Sequence, residues 1–131
     1  MKNDIIALDV GTKRIGVARA NIIAKLPQPL PAINNDNTLS DSIKQLINTY
    51  RPDYIVVGLP RNLSGEETKQ TAYTKQFAIE ELPKDVKIVW QDETLSSKVA
   101  AERTGRTKEL DSEAACLILE DYFKEQYDVS Q

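Results

Sequence analysis

The spacing of apolar residues shifts repeatedly along this chain, and each shift marks an element. Residues 4–10 are apolar apart from Asp4 and Asp9, which predicts a strand, and residues 14–20 predict its antiparallel partner after the turn Gly11-Thr12-Lys13. Pro27, Pro29 and Pro31 keep residues 27–33 extended but remove ladder donors, so this stretch reads as an edge strand or an irregular segment. Over residues 38–50 the period becomes helical, with Leu39, Ile43, Leu46, Ile47 and Tyr50 on one stripe. Thr38 or Ser40 is the candidate cap, and Arg51-Pro52 the stop. Residues 54–59 are continuously apolar, as in a strand buried on both faces. After a loop at 60–65, Ser64 and Glu67 read as a capping box that opens a helix to about Leu82. A strand at 86–91 is ended by Asp92-Glu93. Thr94 then caps a short helix through about Arg103, stopped by Gly105, and a last helix runs from about Asp111 to Gln126.

Strands that first pair as a hairpin and then alternate with helices imply an α/β fold. The expected architecture is a mixed sheet, antiparallel at its N-terminal hairpin and parallel afterwards, with helices on both faces. Sites in such sheets form outside the carboxyl ends of the strands. The 131 residues suit one domain, 1–131, with a sizeable core. No apolar run approaches the roughly 18 residues of a membrane span. Met1-Lys2-Asn3-Asp4 leads straight into a strand with no signal-peptide cleavage pattern, so a cytoplasmic protein with no membrane partner is expected.

Composition narrows the chemistry. There is no histidine, which removes Ser-His-Asp triads, Cys-His pairs and a histidine general base. The single cysteine forms no internal disulfide, and with no histidine beside it a structural zinc site is nearly excluded too. Cys116, inside an apolar helical stretch, reads as a packing residue. Any metal must therefore be held by oxygen: magnesium, manganese or calcium. The net charge of -3 argues against nonspecific coating of nucleic acid, but not against a nuclease whose acidic centre is ringed by local bases.

Three acids stand where an oxygen-ligated site needs them. Asp9 closes an apolar strand, a costly place for a carboxylate unless a cation compensates it. Glu93 follows the strand at 86–91, and Asp111 begins the last helix. Two divalent ions roughly 3.5–4 Å apart can activate a water and stabilise the leaving oxygen of a phosphodiester. Each acid also has a plainer reading. Asp9 can accept backbone bonds in its turn, Glu93 can be a solvated residue ahead of a helix, and Asp111 can be an N-cap behind Leu110. Asp92 is the near alternative to Glu93, while Asp4, Asp53 and Asp121 read as surface acids. Lys13, Arg14, Arg61 and Asn62 lie at the same end and suit a phosphate backbone, although singly each base reads as surface charge. Arg19, Lys98, Arg103, Arg106 and Lys108 are scattered.

Four segments in one register resemble the YqgF family, also called RuvX, the pre-16S rRNA nucleases or Holliday-junction-resolvase-like proteins. They are residues 8–18 (Leu-Asp-Val-Gly-Thr-Lys-Arg-Ile-Gly-Val-Ala), 55–60 (Ile-Val-Val-Gly-Leu-Pro), 92–97 (Asp-Glu-Thr-Leu-Ser-Ser), and 111–115 with 117–122. The resemblance implies a ribonuclease-H-like fold and a metal centre of Asp9, Glu93 and Asp111 holding Mg2+ or Mn2+. It also implies nucleolytic maturation of the 5′ end of 16S ribosomal RNA, with a junction-resolvase role as an alternative. Family members usually carry a longer Gly- and Lys-containing segment where this chain has residues 98–110, a departure that bears on substrate choice.

The expected function is thus a metal-dependent endonuclease acting on structured RNA, as a monomer or weak homodimer. A resolvase of branched DNA would be a two-fold dimer, because it cuts symmetrically. A non-catalytic ribosome-assembly or nucleic-acid-binding module is the alternative of a different class. Nucleotide binding is a further reading, since Asp-Val-Gly-Thr also resembles the first phosphate loop of the actin and sugar-kinase superfamily. That superfamily encloses ATP with two domains, and there is no Walker A sequence here.

Overall fold

Five strands form one sheet in the order β3-β2-β1-β4-β5. In chain order the elements are β1 (Asp4–Val10), β2 (Arg14–Asn21), β3 (Gln28–Asn34), α1 (Leu39–Tyr50), β4 (Tyr54–Leu59), α2 (Lys69–Glu81), β5 (Ile88–Asp92) and α3 (Lys108–Val129). The structure, a computed structural model, describes residues 3–62, 64–93 and 108–129, with only the backbone of 108–110 and 127–129. The short helix expected from Thr94, its stop at Gly105, and the side chains of segment 98–110 lie outside the described residues.

The sheet is mixed as the pattern predicts. β1 pairs antiparallel with β2 and parallel with β4, β2 pairs antiparallel with β3, and β4 parallel with β5. The two-residue period of β1 divides the interior. Ile6, Leu8 and Val10 pack with Leu39 and Ile43 of α1 and with Phe77, Ala78 and Leu82 of α2. Ile5 and Ala7 point the other way, onto Ala115, Ile118, Leu119 and Phe123 of α3. Every residue of β1 is buried, so the strand is covered on both faces, and its last odd position, Asp9, falls on the α3 side.

Several boundaries differ from expectation. α2 does not begin at a Ser64–Glu67 capping box. The Asn62 side chain instead accepts the amides of Ser64 (3.0 Å) and Glu66 (2.9 Å), closing a turn in which Gly65 takes φ +79°. The true box is Thr68 with Thr71, and helix starts at Lys69. Thr71 also donates to the Pro60 carbonyl, which its full burial makes obligatory. β5 starts two residues late, at Ile88. Thr38 occupies the N-cap position of α1 without a side-chain cap; Asp36 accepts its amide instead. α3 begins at Lys108, so Asp111 lies in its first turn and is not its N-cap. An aspartate is favourable at either place, since the whole first turn has unpaired amides and a positive dipole end. Asp4 is not a surface acid: it is buried, with Arg19 3.5 Å away.

Candidate active site

The site is built on a row of small residues across the α3 face of the sheet. Asp9 pairs with Gly16 of β2 on one side. On the other, Leu8 pairs with Val57, so the next step along the parallel strands sets Asp9 beside Gly58. Both neighbours of the buried carboxylate therefore lack side chains, and other elements come down into the space. A Cβ on Gly16 would lie 1.8 Å from the carbonyl oxygen of Asp111, so the first turn of α3 rests directly on β2 there. A Cβ on Gly58 would meet Glu93 Oε1 at 2.5 Å and Ile118 Cδ1 at 2.4 Å. The two glycines are what admit Asp111 and Glu93 to the neighbourhood of Asp9.

A bulge explains how α3 is held at this point. The β2–β3 register slips between Ile15 and Val17, so that Ile15 faces Ile33 while Val17 faces Leu30. Ser112, 2% exposed, fills the irregularity: its hydroxyl donates to the Leu30 carbonyl and accepts the Val17 amide at 3.4 Å. One side chain thus fastens the helix start to two strands, next to the residue whose carboxylate matters.

Asp111 is 3% exposed and takes a hydrogen bond from Arg14 Nε at 2.7 Å, an ion pair spanning 97 residues of chain. Burying that carboxylate would be expensive without such a partner. Arg14, expected to meet a phosphate backbone, is thus engaged with an acid of the site. Asp9 is 5% exposed, and Glu93 follows β5 with its amide donating to the Leu59 carbonyl at 3.1 Å. Asp9, Glu93 and Asp111 accordingly share one face and one end of the sheet. Among the described residues, no three acidic or thiol side chains stand close enough together, as placed, to hold an ion.

The remaining expected contacts are more dispersed. Lys13 is exposed on the β1–β2 turn. Arg61 Nε donates to Asp92 Oδ1 at 3.0 Å, which ties the loop after β4 to the end of β5. Asn62 is exposed, but its side-chain oxygen is used within its own loop. Cys116 packs half-buried beside the α3 core. Burial first, and then Glu120 and Glu113, push its thiol up to about 11, the state of an inert packing residue.

Sequence reasoning missed Gly16, Gly58 and Ser112. A lone glycine inside a strand does signal a close approach by another backbone or side chain. Ser112 carried no signal, because its partner Leu30 is 82 positions away.

Thermus thermophilus RuvC in complex with a Holliday junction substrate superposes with a TM-score of 0.55 at 11% identity, covering 95% of each chain. The fowlpox virus Holliday junction resolvase gives 0.51 at 15% identity, over 93% of this chain and 99% of that one. At such identities the likeness is one of fold, and the fold is ribonuclease-H-like. Sequence goes further. The family model described as "RuvX: Holliday junction resolvase" matches residues 3–125. A protein of Sulfurihydrogenibium sp. named "Putative pre-16S rRNA nuclease" is 39% identical, over 90% of this chain and 88% of that protein. One of the same name from Alcanivorax borkumensis is also 39% identical, over 91% and 94%. The chain belongs to the RuvX family.

Proposed function

We propose that the protein is a divalent-metal-dependent endonuclease that hydrolyses phosphodiester bonds in structured RNA, in the maturation of the 5′ end of pre-16S rRNA in the cytoplasm. The observation that carries this is the glycine-flanked Asp9, with Asp111 and Glu93 brought onto its face from two other elements. The names of the curated relatives support RNA as substrate. No helix among the described residues is long and apolar enough to cross a membrane.

Asp9, Glu93 and Asp111 fit a hard cation in two respects. Every donor is a carboxylate oxygen, and the two glycines let the Asp111 backbone and the Glu93 carboxylate come close to the sheet on either side of Asp9. Mg2+ or Mn2+ bound there would supply Lewis-acid stabilisation of the phosphodiester and a water of lowered pKa. The protein's own part is placement. Gly16 and Ser112 set the height of the α3 turn, Arg14 orients the Asp111 carboxylate, and the Leu59–Glu93 backbone bond fixes where Glu93 leaves the sheet. Lys13 offers a charge at the rim for the phosphate backbone. In the absence of histidine, carboxylates are the only side chains here suited to accept a proton from water near neutral pH.

Cleavage of a pre-16S rRNA precursor and of a four-way DNA junction, side by side with magnesium, manganese or chelator, tests the reading. Metal-dependent cleavage of the RNA is expected. Cleavage of the junction alone would transfer the assignment to a resolvase, and cleavage of neither would favour a non-catalytic assembly module.

A further inference from the structure

The turn that follows Asp9 carries more bracing than a two-strand connection requires. Asn35, just beyond β3, donates its backbone amide to the Lys13 carbonyl at 2.9 Å and its side-chain Nδ2 to the Gly11 carbonyl at 2.9 Å. The same Nδ2 donates to the hydroxyl of Tyr73, on α2, at 2.8 Å. Gln70, one turn earlier on α2, donates to the Val10 carbonyl at 3.1 Å. The start of α2 is thereby fastened to the end of β1, and Tyr73 stands two hydrogen bonds from Gly11.

Tyr73 is nevertheless 37% exposed, one of few large apolar side chains in that state among the described residues. Its ring contributes to neither core cluster. Its hydroxyl is fixed, so the ring is presented to solvent with little orientation left to lose. Exposed lysines stand on both elements that brace it, alongside the exposed acids Asp36 and Glu66. Lys13 is exposed on the braced turn, and Lys69 is exposed one helical turn before Tyr73. The first turn of α2 contains no acid, so its dipole adds to the same sign. An aromatic face flanked by cations is the combination that takes an unpaired base and its phosphates.

We propose that Tyr73 is a stacking platform for an unpaired nucleobase of the substrate strand, with Lys13 and Lys69 holding the adjoining phosphates. The platform lies on the α2 side of the β1 carboxyl end, while the acids lie on the α3 side, so a strand crossing the end of the sheet touches both. This rests on the reading of the protein as acting on nucleic acid, and extends it by requiring a single-stranded stretch beside the scissile bond. Stacking is tolerant of base identity, so the platform selects for unpaired structure over sequence.

The test is binding of a short single-stranded RNA, with chelator present so that no turnover intervenes, by wild type, Tyr73→Ala, Tyr73→Phe and Tyr73→Trp. The Ala variant is expected to bind about tenfold more weakly, and the Phe and Trp variants within about twofold of wild type. The Phe variant separates stacking from bracing, because it keeps the ring and loses the hydroxyl. Photocrosslinking of wild type to 5-iodouridine-containing RNA is expected to map to Tyr73, a readout indifferent to the stability of any variant. Unchanged binding by the Ala variant, an equal loss in the Phe variant, or a crosslink that never falls on Tyr73 would each overturn the platform. Wild type that binds neither RNA nor DNA would instead overturn the nucleic-acid reading on which it rests.

Discussion

Asp9 is decided by what its neighbours lack. A carboxylate 5% exposed at the end of a central strand is normally a liability; here Gly16 and Gly58 let Asp111 and Glu93 approach on either side of it. The two glycines differ in what they admit, and so in what replacing them costs. At Gly16 a methyl group would strike the Asp111 backbone, which cannot rotate away; at Gly58 it would strike the ends of the Glu93 and Ile118 side chains, which can. Gly58→Ala should therefore cost about 1–3 kcal/mol in urea unfolding, and Gly16→Ala more. The reverse order would mean that α3 does not rest on β2 as described. Arg14 is the second single-residue lever. Arg14→Met removes the charge beside a buried carboxylate and should cost about 1–3 kcal/mol, with Arg14→Lys recovering part of it. Equal stability of the Met variant and wild type would show that the pair contributes nothing.

Elements were legible where one local cause acts alone. The bounds of β4 are legible because the unbroken apolar run at 54–59, set between Asp53 and Pro60, has one reading. The prolines of β3 allow an edge strand or an irregular segment, and the sheet takes the first, with β3 at its edge. The start of α2 is not legible because two capping signals compete within five residues. Ser64–Glu67 fits the rule, but Asn62 takes the local amides first and leaves Thr68 to open the helix. α3 starts one turn before Asp111, a difference the sequence hides because an aspartate serves a first turn as well as a cap. What no local rule reaches is the joint between elements. Ser112 meets a bulge in the opposite layer, and Ser112→Ala would strip the Leu30 carbonyl and the Val17 amide of a buried partner. A loss of about 1–3 kcal/mol is expected in thermal or denaturant unfolding, together with slower cleavage. Full activity in a destabilised variant would separate the joint from the site.

Across the whole molecule, the mixed sheet was readable, antiparallel at the hairpin and parallel afterwards, because short connections pair strands antiparallel and helical crossovers pair them parallel. The three acids were readable as candidates from their places at element ends, and their gathering at one end of one face is a property of the sheet that no segment holds by itself. The bases were less legible. Arg14 and Arg61 face acids, at Asp111 and Asp92, and only Lys13 of the three stands exposed on its turn. A loop position predicts access to solvent, not the partner that a folded neighbour supplies.

The central claim is that Asp9, Glu93 and Asp111 act as one centre. The direct measurement is the rate of pre-16S rRNA precursor cleavage in magnesium by Asp9→Asn, Glu93→Gln and Asp111→Asn, each matched to wild type in circular dichroism and RNA binding. A unit of this kind loses nearly everything when any member is removed, so a fall of about a hundredfold or more is expected in each variant. Any one of the three cleaving at the wild-type rate would contradict the account.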